Sequence, residues 1–140
     1  MRFVSRSMAA LARLGLIALA VTACATGGDG FAPSASFTTL MPGWESKFSV
    51  DWKVTPARDG SQLLFGRVTS HYGQHAEPFQ LLGQSLDVSG NVVSQRVERV
   101  PGGVPGFNST YYEISRMAAA DHYRVTVWAY SLVEQRGVVQ

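Results

Sequence analysis

His71 and His75 stand four residues apart, with Glu77 close behind. Two imidazoles and a carboxylate are a set that can hold zinc. Spacing of four brings two histidines to one face on a helix. This set falls in Ser70-His71-Tyr72-Gly73-Gln74-His75-Ala76-Glu77-Pro78, between two extended segments, so helical spacing does not apply. A solvated polar loop is the plainer expectation, and metal binding through His71 and His75 is held as an alternative. Asp121-His122 offers an acid–base pair, which with Ser109, Ser115 or Ser131 would make a nucleophile triad. No Gly-x-Ser-x-Gly elbow is present, and the serines sit at ordinary strand positions. Asp87 could share glycosidase chemistry with a second carboxylate. It begins Asp87-Val88-Ser89-Gly90-Asn91, a turn sequence in which Asp bonds backbone amides. Asn108-Ser109-Thr110 matches a glycosylation acceptor. The expectation is a protein that is not an enzyme, with no cofactor and no small-molecule substrate.

The remaining reactive group is Cys24, the single cysteine. Arg2 and Arg6 precede it, then an apolar stretch from Met8 through Ala20, then Val21-Thr22-Ala23-Cys24. A positive start, a short apolar middle and small residues at the cut make a secretory signal. Arg13 interrupts the apolar stretch, leaving too few residues to span a bilayer, which needs about 20. The ending resembles the lipobox of bacterial lipoproteins at all four positions. That resemblance implies cleavage before Cys24 and acylation of its sulfur. Each buried methylene contributes about 0.8 kcal/mol, and two or three chains make an anchor practically permanent. Exported compartments are oxidising, yet one cysteine forms no internal bridge, so the fold rests on its core. Ala25, where an aspartate would favour the inner membrane, points to the periplasmic face of the outer membrane.

Three of the twelve basic residues (Arg2, Arg6 and Arg13) lie in the leader, leaving nine against ten acidic ones. That balance leaves no broad electrostatic footprint for nucleic acid. The chain divides into a signal peptide over residues 1–23, a tether over 24–36 and one domain over 37–136. The tether is Gly/Ser/Ala-rich.

From residue 46 onward the chain alternates apolar and polar residues in segments separated by Gly, Pro, Asp and Asn, which predicts antiparallel strands. Residues 47–54 put Phe48, Val50, Trp52 and Val54 on one face. Residues 62–70 follow, with Leu64 and Val68 in phase and Gly66 between them marking a bulge or close crossing. Residues 78–87 are expected with Leu82 and Leu86 inward, and 92–100 return after the turn at Gly90. Residues 107–115 have Tyr112 and Ile114 inward, and a short helical turn is expected at 117–120. Residues 122–132 put Tyr123, Val125, Val127 and Ala129 on the core face. Trp128 and Tyr130 then lie on the opposite face, either covering the sheet edge or packing under the loop 101–106, or forming an aromatic patch for a partner. Trp44, beside Pro42-Gly43, is the third candidate for that surface.

Six or seven closely spaced strands without an amphipathic helix give an all-β class, a single antiparallel β-sandwich. Gly66-Arg67-Val68, then Leu86-Asp87-Val88-Ser89-Gly90, a Pro-Gly loop, Tyr111-Tyr112 and Tyr123-Arg124-Val125-Thr126-Val127 follow one another in order. This order resembles the immunoglobulin-like FxLYD-type domains of bacterial envelope proteins. The resemblance covers roughly residues 60–130. Ser70 stands where that family often has Asn, and Leu86 where it has Tyr. It implies an immunoglobulin-like sandwich and carries no catalytic residues. The expected role is a lipid-anchored envelope lipoprotein that binds a protein partner without chemistry. The alternative is a purely structural part of an envelope assembly.

Overall fold

The computed structural model describes residues 32–134. Seven strands form: β1 (Phe48–Val50), β2 (Lys53–Pro56), β3 (Gln62–Ser70), β4 (Ala76–Leu86), β5 (Val92–Arg99), β6 (Ser109–Met117) and β7 (His122–Leu132). A single 3-10 turn, Trp44–Ser46, precedes them. In sheet A, β3 pairs β1 and β2 along one edge and β6 along the other. Sheet B runs β5–β4–β7. Every pairing is antiparallel, and the two sheets pack as a seven-stranded, immunoglobulin-like sandwich, as the period-2 pattern predicts.

The inner faces follow the apolar phase of each strand. Leu64 and Val68 of β3 and Tyr112 and Ile114 of β6 meet Phe79 and Leu81 of β4 and Val125 and Val127 of β7. Phe48 stands edge-on to Phe79 and to Tyr130, each at 4.9 Å between ring centroids. With no disulfide among the described residues, this burial carries the fold, at about 1.5–3 kcal/mol per fully buried large apolar side chain. The β4–β5 turn is held as expected: Asp87 Oδ1 accepts from Ser89 N and Asn91 N, and Gly90 takes φ 83°.

Four expectations are corrected. Residues 47–54 do not form one strand. β1 and β2 keep a common register along β3, but the ladder breaks at Asp51-Trp52, and Trp52 and Val54 are exposed. On β4 the inward residues are Phe79, Leu81 and Gly83, not Leu82 and Leu86. A Cβ on Gly83 would meet Ile114 and Leu64 of the facing sheet. Two adjacent leucines leave the phase undetermined locally, and packing selects Leu81. On β7 the phase changes partway. Leu81 pairs Val127 but Gln80 pairs Ala129, so Trp128 is an extra residue, and the β-bulge turns Tyr130 inward opposite Phe79. Residues 118–120 form no helical turn. Ser85 Oγ donates to Ala118 O, Ala118 N donates to Ser94 Oγ and Ala120 N donates to the Tyr123 hydroxyl, which occupies the backbone groups a turn would use.

The outer face of sheet B is covered by residues 33–40, laid across all three strands. Gln95 Nε2 of β5 donates to Pro33 O, Gln84 Nε2 of β4 to Ser34 O, and Arg124 Nη2 of β7 to Ala35 O. Thr126 Oγ1 then donates to Thr38 O, and Leu40 N to Trp128 O. Residues 33–36, read from composition as tether, are thus bound to the domain. Beneath this strap Gln84 is fully buried, its Oε1 accepting from Arg124 Nε and Nη2 at 3.0 and 2.6 Å.

Candidate binding groove

On the outer face of sheet A the break between β1 and β2 creates a groove. In a regular antiparallel ladder, residue 51 would exchange two main-chain bonds with Arg67. Asp51 N does donate to Arg67 O at 3.0 Å. The return bond is made by the side chain, with Arg67 N donating to Asp51 Oδ1 at 2.8 Å. The freed Asp51 carbonyl turns across Gly66 and accepts from the Tyr112 hydroxyl at 2.7 Å. A Cβ at Gly66 would overlap that carbonyl, so the glycine is what lets the backbone pass. Burial, with the Asp51 charge beside it, holds the Tyr112 phenol well above the usual tyrosine range, so it stays a hydrogen-bond donor.

Trp52 follows the turned peptide. Alternation assigns it to the core with Phe48 and Val50, but it is 39% exposed and lines the groove. Phe65 and Arg67 come from the outward phase of β3, Tyr111 from that of β6, and Lys53 from β2. The groove holds about 490 Å³. Phe65 and Tyr111 sit 6.5 Å apart between ring centroids, and Tyr111 is 54% exposed. The Tyr111 hydroxyl donates to Glu113 Oε1 at 2.9 Å, which raises its pKa. A second, smaller depression of about 360 Å³ lies on the other side of Tyr111, toward Arg99 and Pro101. Tyr111 is the ridge between the two.

The aromatic residues proposed from sequence lie elsewhere. Trp44 and Trp128 are buried at 8% and 6% exposure. Trp44 joins the core cluster, and Trp128 meets Phe37 of the strap edge-on at 5.8 Å. Tyr130 is partly buried against Phe48 and Phe79, and that desolvation raises its pKa. The bulge and the strap remove these three as an exposed patch. The groove set, exposed Trp52 and Tyr111 and half-buried Phe65 with Lys53 and Arg67, was legible only in fragments. The inward phase of Leu64 and Val68 makes Phe65 and Arg67 outward, and that of Tyr112 and Ile114 makes Tyr111 outward. Nothing local shows that β3 and β6 are neighbours.

The other candidate chemistries are not assembled among the described residues. His71 Nε2 bonds Ser49 Oγ and His75 Nε2 bonds Glu77 Oε2, each at 3.1 Å, so the two rings engage different partners. No three His, Cys, Asp or Glu residues cluster for a metal among the described residues. Ser109 Oγ is bonded to Thr69 Oγ1, and His122 and Ser131 lie near opposite ends of β7. Asp87 is engaged by Ser89 and Asn91, and those bonds lower its pKa. Cys24 lies outside the described residues, and no described helix is long and apolar enough to cross a membrane. Comparison with protein-family models, with curated proteins and with solved structures finds no match to this chain.

Proposed function

We propose that this chain is a lipid-anchored lipoprotein of the bacterial cell envelope whose sandwich domain binds a protein partner without chemistry. The contact surface is the groove on the outer face of sheet A. The supporting observation is the exposure of Trp52 and Tyr111 together on one sheet face, beside Phe65 and Arg67. Trp, Tyr and Arg are the residue types that dominate binding energy at protein interfaces. The lipobox-like ending at Cys24 supports the anchor, and its position supports the geometry. Cys24 lies nine residues before Pro33, a stretch that reaches at most about 30 Å. The strap leads the chain in along the outer face of sheet B, so the tether joins the domain on the side opposite the groove.

Capture from solubilised envelopes with the full-length protein and with Trp52→Ala tests the reading. A specific protein retained by the parent and lost with the variant supports it. An identical set of captured proteins for both, or none, overturns it.

A further inference from the structure

We propose that the groove takes a carboxylate-bearing segment of its protein partner, with Arg67 and Lys53 pairing the acid and an apolar side chain lying among Trp52, Phe65 and Tyr111. This rests on the protein-binding reading above and adds the chemistry of the partner.

The argument is an account of which polar groups in the groove are already engaged. Asp51 Oδ1 accepts the Arg67 amide, and Glu113 Oε1 accepts the Tyr111 hydroxyl. The ion pairs among the described residues are His75–Glu77 and Arg96–Glu98, and neither involves a groove cation. The Arg67 guanidinium and the Lys53 ammonium make no hydrogen bond or ion pair among the described residues. Asp51 is the one carboxylate that lines the groove, and one of its oxygens is engaged; Glu113 borders the neighbouring depression, and neither pairs with Lys53 or Arg67. Among the lining residues the two cations Lys53 and Arg67 stand against the single carboxylate of Asp51, so the groove keeps a positive balance and two unpaired cations. A guanidinium presents a planar fork that fits a carboxylate with two parallel bonds.

The three rings set the second requirement. Trp52 and Tyr111 are exposed and Phe65 is half-buried, and all three line the one groove, with Phe65 and Tyr111 6.5 Å apart between ring centroids. A desolvated apolar side chain placed there would strengthen the neighbouring charge pair by excluding water. An anionic lipid headgroup meets the charge requirement but not the placement. The strap brings the anchored end of the chain to the outer face of sheet B, on the far side of the sandwich from this groove. An acidic polysaccharide could meet the charge, but the Trp/Tyr/Arg composition favours a protein segment.

Trp52 is the exposed one of the three tryptophans, so its fluorescence reports occupancy. The full-length protein in detergent micelles is titrated with short synthetic peptides in which a leucine is flanked by Glu and Asp, by Gln and Asn, or by Lys. The expected result is saturable binding of the acidic peptide, weakened about tenfold by the amide peptide and by Arg67→Gln. Lys53→Gln weakens it less, Arg67→Lys gives an intermediate loss, and raising the salt weakens all of them. Trp52→Phe, titrated by calorimetry, keeps the preference for acid while removing the signal. Equal binding of acidic and amide peptides overturns the proposal. So does binding confined to polygalacturonate, or to vesicles of equal parts phosphatidylglycerol and phosphatidylcholine. If capture of a partner from envelopes depends on Trp52 but is unchanged by Arg67→Gln with Lys53→Gln, the protein-binding reading stands and this inference falls.

Discussion

The Tyr112 hydroxyl donates to the main-chain carbonyl of Asp51 at 2.7 Å, across 61 positions of sequence. That bond holds one peptide turned out of the β-ladder, and the turned peptide carries Trp52 from the core side to the outer surface. The groove thus depends on a contact made in the interior.

Removing the donor tests this. Tyr112→Phe leaves the Asp51 carbonyl without its partner and is expected to cost about 1–3 kcal/mol. Gly66→Ala, which forces a Cβ into that carbonyl, is expected to cost about as much by overpacking. Urea midpoints measure both. In each variant Trp52 quenching by acrylamide should fall or its emission shift, as the peptide relaxes.

Alkaline pH should act through the same residue. The folded protein holds the Tyr112 proton above the ordinary tyrosine value of 10.0, so the unfolded state loses it first. The stabilisation is fully present below pH 10.0 and declines as the pH rises above it. Thermal midpoints of the parent should drop more steeply in that range than those of Tyr112→Phe.

Acid pH should act through the turns. Asp59, bonded by the Ser61 hydroxyl and amide, and Asp87, bonded by Asn91 and Ser89, both have folded-state pKa values lowered from the ordinary aspartate value of 3.8. Their contribution is present above that value and is lost as the pH falls through the lower folded values. The double variant Asp59→Asn with Asp87→Asn should show a shallower loss of stability below pH 3.8 than the parent.

The strap has its own test. Arg124→Met removes both donors to the buried Gln84 Oε1 and is expected to cost about 1–3 kcal/mol. Amide exchange at Leu40, whose N–H bonds Trp128 O, should accelerate in that variant while exchange along β3 stays slow.

The anchor is tested at Cys24. Cys24→Ala should abolish incorporation of labelled palmitate and release the protein from the membrane fraction. Incorporation unchanged by the substitution would remove the lipoprotein reading.

Alternation of apolar and polar residues is a local property, and it marked nearly every strand. Residues 62–70 and 122–132 match β3 and β7 end for end, and the staple at Asp87 follows from the chemistry of one turn. The glycine at 66 announced a close crossing, though not what crosses there. The candidate surface was misplaced because a single inserted residue, Trp128, reverses the phase of β7 beyond it, and insertion is defined only against the partner strand β4. Leu82, expected to face the core, lies instead on the outer phase of β4 and is nonetheless fully buried there, as is Gln84 beneath the strap.

The class of fold, most strand positions and the turn chemistry are therefore written in residue order, because each depends on neighbours a few positions apart. The outward turn of Trp52, its meeting with Phe65, Arg67 and Tyr111, and the burial of Trp44 and Trp128 were decided by tertiary structure. They arise from contacts between distant strands, and the free energy of such contacts has no local signature.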